Sequence, residues 1–317
     1  MKALSIDLGG THATCAVIQD KQIVASEVVD SDSGRGLGSV LPQFADTLRK
    51  LAKQTDMPLS QFAGVALSFC GMVNTKETRV TSTNQKYDDA TAIDFCAWSQ
   101  REFGLNFRIE NDARMALLGE WYAGGAQGFD NVVMFTLGTG IGGAAMIEGR
   151  LLRGKHHQAG CLGGHFPALF NGRKCTCGAI GCAEAEAAGW SLPFVCRETP
   201  GFESSQLSKE PSLNFECVFR LAKAGDSVAL AVRDRCIRVW SANTVAAIHA
   251  FDPEVVVYGG GVMRSADVIL PAIQAYVNEH AWTPWGKVQV HAAQLGNNAG
   301  LLGAIPLLSE GHAVGVA

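Results

Sequence analysis

Cys175, Cys177 and Cys182 fall within one stretch of eight residues, and His165 stands ten residues before the first of them. Three thiolates and an imidazole make a complete donor set for one structural zinc ion, which takes four sulfur or nitrogen ligands in a tetrahedron. Gly178 and Gly181 supply the tight turns that such a loop needs. The other chemistries open to clustered thiols fit less well. A redox C-x-x-C pair is absent. Disulfides belong to oxidising compartments, and the opening MKALSIDLGG has too short an apolar run for a secretion signal. The expectation is a cytoplasmic protein with a zinc clip. Cys15, Cys70, Cys96, Cys196, Cys217 and Cys236 sit among apolar neighbours and read as small buried hydrophobes.

Glycine supplies the second set of candidates. Asp7 ends an apolar run and leads into Gly9, Gly10 and Thr11. Adjacent glycines let the backbone approach an anion, while amides and a hydroxyl donate to phosphate oxygens. An Asp there can hold Mg²⁺ directly or through water, although a plain Asp-Gly hairpin turn would look the same. Gly138, Gly140 and Gly143 satisfy G-x-G-x-x-G, with Thr139 between the first two. That dinucleotide fingerprint requires a following helix. Here AAMIEGRLL follows, which reads as a strand with a hairpin turn, so a phosphate-facing glycine hairpin is expected instead. Gly259, Gly260 and Gly261 end a third apolar run and could pass under a base or ribose. No G-x-x-x-x-G-K-[ST] is present.

Asp112 follows Asn111 between a strand pattern and the helix pattern ARMALLGEW. A favoured N-cap residue would explain it. The chemical alternative is a general base that takes the proton from a sugar hydroxyl as that oxygen attacks a γ-phosphate.

These groups need a scaffold. KALSIDLGG, THATCAVIQ and QIVASEVVD alternate with a period of two and read as three strands. SVLPQFADTLRKLAKQT reads as an amphipathic helix, FAGVALSFCG as a strand, and TAIDFCAWSQREFG as a helix stopped by Gly104. The order strand, glycine turn, strand recurs near residues 7 and 138, which suggests a duplicated α/β unit. Thr199 to Ser212 reads as a mobile loop, and Asn297 to Leu308 as helix.

The 317 residues, 47% hydrophobic and 18% charged, suit a globular protein with a sizeable core. A net charge of −4 argues against a nucleic-acid partner. No apolar stretch of about 18 residues calls for a membrane.

Taken together, the motifs resemble those of the ROK family of sugar kinases, over nearly the whole length. Asp7-Leu8-Gly9-Gly10-Thr11 is similar to the family's first phosphate motif, Glu110-Asn111-Asp112-Ala113 to its catalytic segment, and Leu137 to Gly143 to its second phosphate turn. His165 with Cys175 to Glu184 matches the zinc signature C-x-C-G-x-x-G-C-x-E; Asp252-Pro253 and Gly259 to Gly261 match the adenosine side. The resemblance implies an α/β, actin-like ATPase (ribonuclease H-like) fold with two domains around a cleft. Residues 1–115 with 299–317 would form the smaller domain and 116–298 the larger one. It implies a cytoplasmic homodimer that uses ATP, Mg²⁺ and structural Zn²⁺. Asp112 would be the general base. Asn84, Asn111, His165 and Glu184 would contact the sugar. Asp7, Gly9, Gly10, Thr11, Gly138, Thr139, Gly140, Gly260 and Gly261 would surround nucleotide and Mg²⁺.

One segment departs from the family. Its usual A-G-E-[IL]-G-H carries a sugar-binding Glu, whereas this chain reads Ala159-Gly160-Cys161-Leu162-Gly163-Gly164-His165. A strong hydroxyl acceptor is lost, which implies a sugar other than plain glucose, or a derivative. Repressors of the family carry a helix-turn-helix domain before the first motif; here that motif starts at Asp7, so an enzyme is expected. A non-catalytic sugar sensor and a kinase using polyphosphate are the competing readings.

Overall fold

A computed structural model describes residues 1–83 and 85–310. Asn84, one of the expected sugar contacts, lies outside the described residues. The chain divides into two compact units. Unit 1 comprises Met1–Gly128, Arg153–Ala159 and the segment from Gln294 onward; unit 2 comprises Phe129–Leu152 and Gly160–Ala293.

Unit 1 is built on the strands β1 (Lys2–Leu8), β2 (His12–Gln19), β3 (Gln22–Asp30), β4 (Val65–Phe69) and β7 (Phe107–Asn111), in the order β3-β2-β1-β4-β7. A short ribbon, β5 (Met72–Asn74) with β6 (Arg79–Ser82), pairs separately. The first three strands of the main sheet are antiparallel, while β4 and β7 add in parallel. Period-two alternation sends alternate β1 side chains to opposite faces. Leu4, Ile6 and Leu8 enter the core with Leu41, Phe44 and Leu48 of helix α1 (Leu37–Gln54). Ser5, from the other set, donates to the Leu301 carbonyl at 3.1 Å. Asp7 shares that set and ends the strand at the glycine turn. Helix α2 (Phe95–Phe103) stops at Gly104, whose φ of 68° is the left-handed conformation of a helix C-cap.

Helix α3 (Asp112–Ala123) packs on the short helix Ala299–Leu302. The crossing is close: a Cβ on Gly119 would lie 2.0 Å from the Ala299 carbonyl oxygen. The fully buried Glu120 accepts from the amides of Gly125, Gln294 and Leu295 at 2.7, 3.0 and 2.8 Å. Residue 115, the expected domain boundary, thus falls inside a helix of unit 1.

Unit 2 repeats the same plan. Its strands β8 (Val132–Leu137), β9 (Ile141–Ile147), β10 (Arg150–Leu151), β11 (Val255–Gly259) and β12 (Gln289–Ala292) run in the order β10-β9-β8-β11-β12. Again three strands are antiparallel and two add in parallel. The duplication legible in the sequence is therefore a duplication of topology, with a glycine turn after the first strand of each sheet. Between β10 and β11 run α4 (Ala183–Ala187), α5 (Leu192–Glu198), α6 (Phe215–Lys223) and α7 (Ser227–Phe251), and α8 (Ala266–His280) follows β11. Trp240 of α7 is buried and donates its indole N–H to the Ala187 carbonyl at 3.0 Å, and Thr244 bonds the Tyr258 hydroxyl at 2.7 Å.

Three local expectations change. The segment Thr199 to Ser212 is not a free loop: it forms 3₁₀ turns, with Leu207 buried and Ser205 and the Gln206 amide bonded to Asp226 at 2.8 Å. The C-terminal stretch is broken into a 3₁₀ turn and the helices Ala299–Leu302 and Ala304–Ser309. Cys96 is exposed on α2 and Cys70 is half-buried, so neither is a core thiol. Among the described residues, no helix is long and apolar enough to cross a membrane.

Candidate functional site

In unit 1 the first glycine turn joins β1 to β2. The Gly9 amide donates to the His12 carbonyl at 2.9 Å, and a Cβ on Gly9 would lie only 2.9 Å from that oxygen. Buried Tyr87 braces the turn, with its hydroxyl 2.7 Å from the Gly9 carbonyl and 3.0 Å from the Ser31 hydroxyl. Half-buried Asp7 ends β1 beside Gly300, where a Cβ would stand 2.8 Å from the carboxylate. Glycine at 300 therefore lets the backbone approach the Asp7 carboxylate this closely. Loss of hydration pushes the Asp7 carboxyl up to about 6; the Ser68 hydroxyl opposes this and the Asp112 carboxylate adds to it.

Asp112 stands where β7 passes directly into α3. The structure settles the capping question against it: Asn111 is the N-cap, its Oδ1 accepting from the amides of Ala113 and Arg114 at 3.1 and 3.3 Å. Asp112 is the first helical residue and does not serve as the N-cap. Its Oδ1 accepts from Asn111 Nδ2 and the Ala113 amide, both at 2.8 Å. Asn111 Nδ2 also donates to the Gly71 carbonyl at 3.1 Å. The Asp112 side chain is open to solvent, yet enough protein surrounds it that lost hydration raises its pKa, against the Ala113 amide, Lys86 and Asn111.

Beneath Asp112 lies an ion network that sequence reading missed. Glu110 and Arg114 are both fully buried and pair at 3.3 Å across the junction of strand and helix. Arg153 binds the second Glu110 oxygen at 2.6 Å and Glu310 at 2.8 Å. Arg114 also donates to the carbonyls of His157 and Ala159 at 3.0 and 2.5 Å, so it fastens the segment Arg153–Ala159 within unit 1. The spacing of four between Glu110 and Arg114 was the available signal, but it counts only inside one helix.

In unit 2, the turn Gly138–Gly140 joins β8 to β9, as the hairpin reading required, and no helix follows it. The Gly189 and Trp190 amides donate to the Gly138 and Thr139 carbonyls at 2.9 and 3.0 Å. Glu184 lies against the turn: Oε2 accepts from the Ile141 amide at 2.9 Å and Oε1 from the Trp190 indole at 3.4 Å. A Cβ on Gly140 would meet that carboxylate at 2.7 Å. Gly260, with φ of 90°, passes over the end of β8, where a Cβ would lie 2.3 Å from the Leu137 carbonyl. Gly138, Thr139 and Gly261 thereby line one cavity of about 1130 Å³ with Trp190, Phe219 and Arg264.

His165, Cys175, Cys177 and Cys182 offer ligand atoms that all lie within 4.8 Å of one another. The Cys177 and Cys182 sulfurs are 3.7 Å apart, and Cys175 Sγ is 3.5 Å from His165 Nδ1. A tetrahedron with zinc–sulfur bonds of about 2.3 Å has sulfur–sulfur edges of about 3.8 Å, so the set fits that ion. Gly181 turns the loop with φ of 72°, where a Cβ would lie 1.7 Å from the Leu169 carbonyl. Elemental analysis is expected to find about one zinc per chain, lost in Cys182→Ser together with thermal stability. Wild type free of zinc after expression in zinc-replete medium would discard the site. In the altered segment, Cys161 is buried and Leu162 exposed. Gly163 and Gly164 pack so tightly that a Cβ would lie 2.9 Å from the Phe135 ring and 2.1 Å from the Ile141 carbonyl.

Comparison with known proteins places the chain. The ROK family pattern matches residues 3–310. The chain is 29% identical to the glucokinase of Thermotoga maritima over 317 residues, covering 98% of both. It is also 29% identical to the N-acetylmannosamine kinase of Pasteurella multocida over 306 residues, covering 96% of this chain and 95% of that one. Among solved structures it resembles a ROK family glucokinase from Streptomyces griseus in complex with glucose and AMPPNP, with a TM-score of 0.77 and 26% identity over 97% of this chain and 99% of that one. With two sheets of one topology, a glycine turn on each and a Cys₃His cluster, the chain has the actin-like ATPase fold and belongs to the ROK family.

Proposed function

We propose that this protein is an ATP-dependent carbohydrate kinase. It transfers the γ-phosphate to a hydroxyl of a hexose or hexose derivative, with Asp112 as general base. The observation that carries this reading is the state of Asp112. Its carboxylate is accessible, oriented by Asn111 and the Ala113 amide, and raised in pKa. Those are the properties of a general base directed at a substrate hydroxyl. The relatives named glucokinase and N-acetylmannosamine kinase support the same class of reaction.

The other roles follow the same reading. Asn84, Asn111, His165 and Glu184 hold sugar hydroxyls. The cavity beside Gly138, Thr139, Gly140, Gly260 and Gly261 takes the nucleotide, and its size suits a ligand of that class. Asp7 with Gly9, Gly10 and Thr11 receives phosphate and Mg²⁺. The hard oxygen donors of the Asp7 carboxylate fit such a cation. Mg²⁺ bound there supplies charge neutralisation for the phosphate oxygens. The zinc loop is structural and holds His165 and Glu184 in place. The missing Glu around Cys161 and Leu162 turns specificity away from plain glucose.

The test is ADP release from Mg-ATP across hexoses, N-acetylhexosamines, ketoses and rarer sugars. The expected result is sugar-dependent turnover, with a substrate other than glucose giving the highest kcat/KM. Binding seen as a thermal shift without turnover would replace this reading by the sensor. Turnover with polyphosphate alone would change the donor, and glucose as the best substrate would discard the specificity argument.

A further inference from the structure

Lys86 has no part in any role given above, yet it occupies the first glycine turn. The side chain runs along Gly10: a Cβ there would stand 3.5 Å from Lys86 Cε and 3.7 Å from Nζ. The Lys86 ammonium therefore lies beside the Gly10 backbone, at van der Waals distance from where a side chain would begin. The same ammonium is close enough to Asp112 to draw that carboxyl's pKa down, and it acts on the Cys70 thiol in the same sense. Among the described residues it makes no hydrogen bond and no ion pair, whereas Lys50 pairs with Glu27 at 2.6 Å.

The backbone around Lys86 is held at a cost. Gln85 and Tyr87 both adopt left-handed conformations, with φ of 62° and 54°, which non-glycine residues adopt only where the surroundings enforce it. What enforces it is Tyr87, fully buried with its hydroxyl on the Gly9 carbonyl. The anchor ties Lys86 to the turn whose amides would face phosphate. A half-exposed cation that makes no ion pair among the described residues, fixed beside a phosphate turn and a candidate base, is placed to receive an anion. A lysine ammonium suits it, being a compact charge on a flexible stem.

We propose that Lys86 is a catalytic residue of the phosphoryl transfer, its ammonium meeting the transferring phosphoryl group over Gly10. This rests on the kinase reading. The acceptor hydroxyl oxygen forms a bond to the γ-phosphorus as the bond from that phosphorus to the β,γ-bridging oxygen breaks. Asp112 takes the hydroxyl proton, and ADP leaves with the bridging electron pair. Lys86 stays protonated throughout and neutralises charge on the non-bridging oxygens, where preorganised cations act most strongly.

The experiment compares wild type, Lys86→Ala and Lys86→Arg on the best sugar of the panel, with ethylammonium added to Lys86→Ala. The expected result is a kcat lower by ~10²-fold in Lys86→Ala, with the sugar KM within about threefold of wild type. Ethylammonium restores kcat in proportion to its concentration, and Lys86→Arg keeps a larger share of activity. A kcat in Lys86→Ala within about threefold of an active wild type overturns the role and leaves the kinase reading intact. So does a loss confined to the sugar KM, or one that neither ethylammonium nor Lys86→Arg relieves. A wild type that phosphorylates no sugar overturns the kinase reading, and the role of Lys86 with it.

Discussion

Asp112→Asn is expected to lower kcat by ~10²-fold or more while sugar and nucleotide affinities stay near wild type. The substitution is almost isosteric. The side-chain oxygen of Asn still accepts from the Ala113 amide, which the carboxylate does at 2.8 Å. It cannot take a proton. The loss therefore falls on the step in which the acceptor hydroxyl is deprotonated, and on kcat more than on KM. The pH profile supplies a second reading. Crowding by protein raises the Asp112 pKa, and Lys86 and the helix amide only partly offset that. The base works when ionised, so activity rises as pH climbs through the folded-state pKa and levels off above it. The acid limb of kcat/KM should lie above the range of an ordinary aspartate, and it should disappear from the residual activity of Asp112→Asn. A variant with wild-type kcat, or one that keeps the limb, would remove Asp112 from the role.

Arg114→Met is expected to destabilise the protein by ~3–5 kcal/mol, the usual cost of removing one partner from a buried ion pair. Arg114 and Glu110 are both fully buried. Removing the cation leaves the Glu110 carboxylate with Arg153 as its remaining charged partner, and strips two donors from the carbonyls of His157 and Ala159. Methionine fills similar volume, so the loss is electrostatic rather than a cavity. Because the network sits under Asn111 and Asp112, kcat should fall as well, in a variant whose fold persists at low temperature. Urea unfolding measures the first effect; a midpoint unchanged from wild type would show that the network carries no net stability.

Part of this was legible in the chain itself. Period-two strands of Val and Ile around Asp7, the stripe of α1 and the stop at Gly104 follow from local rules, because each depends on neighbours three or four residues away at most. The Cys₃His set was legible for a related reason: Cys175, Cys177 and Cys182 are adjacent in sequence, and glycine spacing controls how they fold back on one another. The repeat of strand, glycine turn and strand foretold a repeated sheet topology.

Other features became definite only in three dimensions. Asn111 and Asp112 are equally good caps by type, and the fixed direction of β7 into α3 decided that Asn111 caps while Asp112 keeps an exposed carboxylate oriented by Asn111 and the Ala113 amide. Gly300 lies far along the chain from Asp7 and Lys86 far from Gly10, so no local pattern ties them. Arg153–Ala159 joins unit 1 although its flanks belong to unit 2, because the buried Glu110 carboxylate of β7 binds Arg153 as well as Arg114, and Arg114 holds the carbonyls of His157 and Ala159. Residue types suited to phosphate, metal and base are thus written in the chain. Folding then chose the partners of each carboxylate: Glu110, Glu120 and Glu184 are taken up by donors distant in the chain, while Asp112 keeps an exposed side chain, because such partners meet only in three dimensions.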